Sequence, residues 1–342
     1  MKSLKKYSFN IILIACVSWF SIRVALYGNF NEIQSMLSDI PLISIFILIS
    51  LGFAPHLIEV IILKKFATLY LPSYSFKKAL INAFTGVFFS GITPFSSGGQ
   101  FAQAYVFKKQ GINYSDSTGL LLLHFILYQI CLVGYTFIIM VFKFKEFSSY
   151  YNGFLSLALL GFLINTCVIL GLLLGALSFK FHYFLTNTLL KVVYKFKLVK
   201  DYELSKVKLE KYLSDFHEGL KVISQHPKRM LLIMLLFILK LTILYSLPFF
   251  VLYITQSNVS FNLFFNCFSL CAFVYLITAF VPIPGASGGT EGTYVILFSL
   301  IVSELIARFS MIIWRFITYY FTIFMGCIIF MVYINRSKKG EN

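Results

Sequence analysis

Charge is scarce in this chain, and negative charge is scarcer still. Of 342 residues only 12% are charged, with 13 acidic against 29 basic, while 59% are hydrophobic. Soluble domains carry roughly 25% charged residues. A soluble chain of this size would also split its apolar surface among several cores. With a mean hydropathy of +0.84, much of the chain must have lipid as its solvent. No segment is long and polar enough to be a separate soluble enzyme.

Cysteine is sparse as well. The six cysteines, Cys16, Cys131, Cys167, Cys267, Cys271 and Cys327, all sit inside apolar runs. Cys267 and Cys271 are four apart, but no further Cys or His follows at metal-site spacing, so they read as small buried apolar residues. No disulfide framework, metal or cofactor is implied. The chain also lacks a nucleotide-binding loop, an H-E-x-x-H pattern and a nucleophile elbow. Ser287 lies among glycines without a histidine placed to activate it. The net charge of +16 does not indicate nucleic acid, because the lysines cluster beside apolar segments as cytoplasmic loops of membrane proteins do.

What the chain does have is a series of apolar runs near the roughly 20 residues that cross a bilayer. They cover Phe9–Leu26, Ile40–Leu63, Leu120–Phe142, Phe154–Phe179, Met230–Ile254, Phe261–Val281 and Phe309–Ile334. Lys2, Lys5 and Lys6 precede the first, Lys64-Lys65 close the second, and Arg336, Lys338 and Lys339 follow the last. The positive-inside rule then puts both termini in the cytoplasm of a multi-pass cell-membrane protein. The expected class is an all-α, polytopic helical bundle forming one membrane domain. Its first half is 1–179 and its second 230–342, joined by a basic cytoplasmic linker over 180–229. That linker holds eleven Lys or Arg and five Asp or Glu. Leu209, Tyr212, Leu213, Phe216, Leu220 and Ile223 form an amphipathic stripe within it.

Two apolar stretches break instead of spanning. Over 79–107 the run stops at Pro94 and Gly98-Gly99, with Lys77-Lys78 before it and Lys108-Lys109 after it, which predicts a re-entrant hairpin. Over 282–303 a second run stops at Pro282, Pro284 and Gly288-Gly289. Each follows a Ser-Phe pair, Ser75-Phe76 or Ser260-Phe261, and each contains P-x-x-S-G-G, from Pro94 to Gly99 and from Pro284 to Gly289. Lysine placement puts Ser75 inside and Ser260 outside, so the two units form an inverted repeat of broken helices, a transporter signature. Unpaired backbone at such breaks must be buried in protein or line a wet cavity. A simple pair of kinks for tight packing is the alternative.

Few ionisable residues lie in the apolar runs, where each is costly and marks a site by default. Glu291 follows the second break and Arg315 lies early in the last run, so the two are expected to pair, as a functional cavity or as structural glue. Lys240 is mid-span and should face a cavity or an acid. His56 and Glu59 share a helix face after Pro55; they either hold a headgroup amine, relay a proton or form an interhelical hydrogen-bonded pair. His124 reads as structural. Gln100, like Glu291, is a polar residue just past its break.

Taken together, Thr93-Pro94-Phe95-Ser96-Ser97-Gly98-Gly99-Gln100 with Ala104-Tyr105, Pro284 through Gly292, and Trp314-Arg315 with Thr318-Tyr319-Tyr320 resemble the lysylphosphatidylglycerol synthase transmembrane-region, or flippase-like domain, family. The resemblance covers nearly the whole chain. It implies a membrane domain that moves aminoacylated phosphatidylglycerol to the outer leaflet, where added positive charge repels cationic antimicrobial peptides. Bifunctional members also carry a soluble aminoacyltransferase domain after this region. These 342 residues hold none, so a stand-alone member is expected, with membrane phospholipids as partners and a separate aminoacyltransferase as an optional one. The function expected is therefore a lipid translocase. The alternative is a phosphatidylglycerol lysyltransferase component that needs a catalytic partner, so enzymatic activity is left open and a non-enzyme favoured. Nothing in the sequence sets an oligomeric state.

Overall fold

The computed structural model describes residues 30–150, 154–177, 184, 187–188, 190–195, 201–211, 214, 225–256 and 259–340. The expected first span and all of the linker stripe except Leu209 lie outside the described residues. Helices α1 (Phe30–Ser38), α2 (Leu42–Ala67), α3 (Phe76–Gly91), α4 (Gly98–Lys109), α5 (Tyr114–Tyr150), α6 (Phe154–Leu177) and α7 (Leu190–Lys195) make up the first part. After the linker come α8 (Pro227–Thr255), α9 (Phe264–Thr278), α10 (Gly289–Phe298), α11 (Glu304–Arg315) and α12 (Phe321–Gly340). Among the described residues no strand occurs.

Among the described residues six helical segments are long and apolar enough to cross a membrane: Leu42–Ala67, Tyr114–Lys143, Ser156–Leu174, Pro227–Thr255, Phe261–Thr278 and Glu304–Arg336. The protein is therefore a polytopic helical membrane protein. Only closed hydrogen bonding within each helix satisfies the backbone in hydrocarbon. The last span is α11 and α12 joined by one π-helical turn, Phe316–Tyr320.

α3 and α4 are too short to cross. At 16 and 12 residues they rise roughly 24 and 18 Å, short of a hydrocarbon core of about 30 Å. They fold back on each other as a hairpin, sealed by side chains that reach across to backbone. Asn82 donates to Gln103 O (3.1 Å), and Gln110 donates to Lys78 O (3.0 Å) while Lys78 Nζ donates to Gln110 O (3.0 Å). At the base of the hairpin the buried Tyr74 phenol donates to Gln110 Oε1. Burial pushes its pKa well above the usual tyrosine value, so it stays protonated.

The bundle closes around this hairpin. α12 lies along α3, α2 lies between α3 and α8, and α9 packs on α5, α6, α8 and α10. Small residues set the closest approaches. A Cβ at Gly326 of α12 would sit 2.6 Å from Phe84 O of α3, and one at Gly52 of α2 would sit 3.0 Å from Ile317 O. The interior is mainly aliphatic but holds several large aromatics, with Phe84, Phe237, Tyr245, Phe273, Tyr294 and Trp314 all essentially solvent-free.

Candidate functional site

The two broken stretches make the same turn. Thr93 and Ile283 are extended (φ −125°, ψ 145° and φ −112°, ψ 143°), as residues before proline prefer. Pro94 and Pro284 then open single 3₁₀ turns. The next two residues are left-handed in both: Phe95 (φ 54°) and Ser96 (φ 53°) in the first, Gly285 (φ 60°) and Ala286 (φ 51°) in the second. Closing bonds match as well. Ser97 N–H donates to Pro94 O and Ser287 N–H to Pro284 O, both at 3.2 Å. The turns diverge at the serine. Ser97 is helical (φ −68°, ψ −29°) and leads straight into α4, whereas Ser287 is extended (φ −60°, ψ 141°) and Gly288 takes φ 83° before α10 begins.

These turns pack against each other. Tyr319, on the π turn, lies between them. Its hydroxyl donates to Gly91 O at the end of α3 (3.0 Å), and its ring fills the space where a side chain on Gly285 would go, since a Cβ there would meet Tyr319 atoms at 2.1 Å. The left-handed backbone favours glycine at 285, and the Tyr319 ring leaves room for nothing larger. Phe95, at the matching position, is 59% exposed, a left-handed bulky residue that stores strain of the kind found at functional sites.

Glu291 and Arg315 hold the second turn. Arg315 Nε donates to Glu291 Oε1 (2.8 Å) and Nη2 donates to Gly285 O (2.6 Å), while the guanidinium stacks over the Tyr319 ring at 4.1 Å. Glu291 Oε2 accepts the Gly288 N–H at 2.7 Å, so a carboxylate caps the N-terminus of α10, where the helix dipole favours it. Both side chains are almost fully buried. Around them polar capacity is left over. Arg315 Nη1 and Gln100 take no partner among the described residues, and neither do the buried Ser287 hydroxyl and Trp314 Nε1. Pro284 is buried and Pro94 and Ser97 exposed, so the first turn offers surface and the second closes the interior. Gly98 and Gly99 let α4 begin against α3: a Cβ at Gly99 would sit 1.9 Å from Ser90 Oγ and 2.8 Å from Gly86 O. Gly289 is merely snug, with 3.2 Å to Val281.

A second polar cluster lies elsewhere. Lys240 of α8 donates to Glu59 Oε2 of α2 (2.7 Å), and His124 Nε2 of α5 lies 2.6 Å from Glu59 Oε1. Lys240 Nζ sits 5.0 Å over the Tyr128 ring. His56, on the same face of α2, packs on Phe53 and Phe84 and its Nε2 has no partner among the described residues. Among the described residues no hydrogen bond or ion pair joins this cluster to the turn site. The residues named from the sequence thus divide in two: the proline, serine and glycine positions with Gln100, Glu291 and Arg315 at the turns, and His56, Glu59 and Lys240 apart from them.

Sequence reasoning did not single out Tyr319 or Gly285 by role, nor His124 as a neighbour of Glu59. Tyr319 carried a signal, since it follows Arg315 by four residues, one helical turn along the same face. His124 carried none, because its partner is on another helix.

The sequence model described as "Lysylphosphatidylglycerol synthase TM region" matches residues 8–326, so it takes in both turns and both clusters. No curated protein and no solved structure matches the chain significantly.

Proposed function

The chain belongs to the lysylphosphatidylglycerol synthase TM-region family, and from that premise we propose that it moves a phospholipid between leaflets. Membership by itself ties the chain to lysylphosphatidylglycerol synthesis or flipping and to a lipid in the membrane. The observation that favours flipping is the meeting of two like-shaped breaks, with a buried Glu291–Arg315 pair bonded to the backbone of one of them. In this reading the hairpin of α3 and α4 and the unit of α9 and α10 enter from opposite faces, the arrangement of an inverted-repeat transporter.

The lipid class follows from the pair. An aminoacylated headgroup carries an amine and a phosphate, and the site holds a carboxylate and a guanidinium that face each other when no headgroup is there. A headgroup that enters exchanges one internal ion pair for two external ones, amine to Glu291 and phosphate to Arg315, so neither charge is left alone in a low-dielectric site. Arg suits the phosphate because its planar fork can donate two parallel bonds. Gln100, Ser97 and Ser287 supply neutral polar contacts along the path, and the glycines at 98, 99, 288 and 289 keep it narrow and free of side chains. Transport draws on no nucleotide, since no nucleotide-binding loop is present in the sequence, and so runs downhill or on an ion or membrane-potential gradient.

The test is exchange of headgroup-labelled lipids in proteoliposomes, read with a membrane-impermeant quencher. Lysylphosphatidylglycerol is expected to exchange faster than in empty vesicles, and faster than neutral or anionic controls, with the gain lost in Glu291→Gln and Arg315→Ala. Normal exchange in both variants would sink the assigned roles. New aminoacyl lipid on expression, without faster exchange, would favour instead a lysyltransferase component working with a separate catalytic partner.

A further inference from the structure

Glu59, His124 and Lys240 meet where α2, α5 and α8 pack together, outside the turn site. All three come from segments that span the membrane, and their side chains are no more than 16% exposed. Holding helices together does not require such groups. The same bundle ties α5 to α6 with neutral amides, Gln129 Nε2 donating to Asn165 Oδ1 at 3.2 Å, both residues buried. Ionisable residues inside a span are costly and, where they occur, accompany ion and proton pathways.

The composition of the cluster fits a proton rather than a larger ligand. Its charged members are one carboxylate and one ammonium, which cancel. The other titratable groups facing them are His56 from α2, one turn before Glu59, and His124, Tyr128 and Cys131 from α5. Two imidazoles beside a closed ion pair give it room for one more proton. His56 Nε2 has no partner among the described residues, while His124 Nε2 lies 2.6 Å from Glu59 Oε1 and shares that carboxylate with Lys240, so one ring is uncommitted and the other already touches the ion pair.

We propose that Glu59, His124 and Lys240 form a buried proton-binding site whose occupancy controls the tie between the two halves of the protein; its use to drive lipid movement rests on the translocase reading above. One proton from water adds either to the imidazole or to the carboxylate, and no other bond is made or broken. The cluster passes from net zero to net plus one. Imidazolium at Oε1 then draws the shared carboxylate charge away from Lys240 at Oε2, or Lys240 loses its partner to a neutral acid. Either way the bond between Glu59 of the first half and Lys240 of the second weakens. Residues 181 apart in sequence make that bond, and α2 on α8 is a principal packing between the halves.

Two measurements on the purified full-length chain decide this. In pH-step infrared difference spectra, a carboxyl or imidazole contribution from this cluster is expected. It should disappear in the charge-neutral double variant Glu59→Gln/Lys240→Met, and its imidazole part in His124→Asn. A wild-type spectrum without such a contribution, or one that persists in both variants, overturns the proton site. In proteoliposomes under an imposed pH difference, labelled lipid is expected to redistribute between leaflets by up to about tenfold per pH unit for each proton carried. The readout is the ratio with and without the gradient, whatever the absolute rate, and it should fall to one in His124→Asn. A wild-type ratio of one overturns the coupling. If the wild type moves no lipid at all, the translocase reading fails, while the infrared result still decides the site.

Discussion

Tyr319 donates its hydroxyl proton to the carbonyl oxygen of Gly91, 228 residues away, at 3.0 Å. One side chain thereby closes the last turn of α3 and, with its ring against Gly285 and under Arg315, supports the second break as well. Tyr319→Phe removes the hydroxyl and leaves the Gly91 carbonyl without that donor, at a cost of about 1–3 kcal/mol. Tyr319→Ala also removes the surface on which the guanidinium stacks. The alanine variant should melt well below the phenylalanine variant in thermal unfolding of detergent-purified protein, and equal losses would show the ring to be dispensable.

The matching turns make an unequal prediction. Phe95 and Gly285 have the same left-handed backbone, which costs a residue with a Cβ roughly 1–2 kcal/mol. Phe95→Gly should therefore hold or raise stability. Gly285→Ala should lower it by more than the backbone term alone, because its Cβ would strike the Tyr319 ring. Unfolding midpoints for the pair check this, and similar effects at the two positions would contradict it.

For Glu291 and Arg315, removing one partner strands the other in a buried setting. Glu291→Gln or Arg315→Ala alone is expected to cost about 3–5 kcal/mol, and a double change to apolar residues of similar volume much less than twice that. A double-mutant cycle on unfolding free energy measures the coupling. Additive losses would mean that the two charges are already solvated apart.

Close helix approach supplies the fourth expectation. Gly326 leaves no room for a side chain beside Phe84 O, so Gly326→Val must push α12 off α3. We expect a folded bundle with a loosened hairpin, seen as faster hydrogen exchange over 76–109 and little change over 227–255. Unchanged exchange over the hairpin would show that α12 does not hold it.

How much of this was legible beforehand depends on how local the signal is. Glu291 and Arg315 are both rare charges in apolar sequence, so their pairing could be expected from cost alone. Lys240 was legible as a cation in need of an acid, but not which acid. His56 is three residues from Glu59 and looks like its partner along the helix. Yet Glu59 turns to Lys240 on α8 and His124 on α5. That choice depends on the azimuth at which three helices pack, and sequence spacing within one helix carries no information about it.

The sequence by itself determined that the protein is a helical membrane bundle, where most of its spans lie and where two of its helices break. Those features follow from hydropathy and from the backbone chemistry of proline and paired glycines, which act within a few residues. Tertiary structure alone decided that the two breaks touch, that Tyr319 fills the space above Gly285, and that Glu59 binds Lys240 on α8. Each is a contact between segments far apart in the chain, and only the packing of whole helices brings such groups within bonding distance.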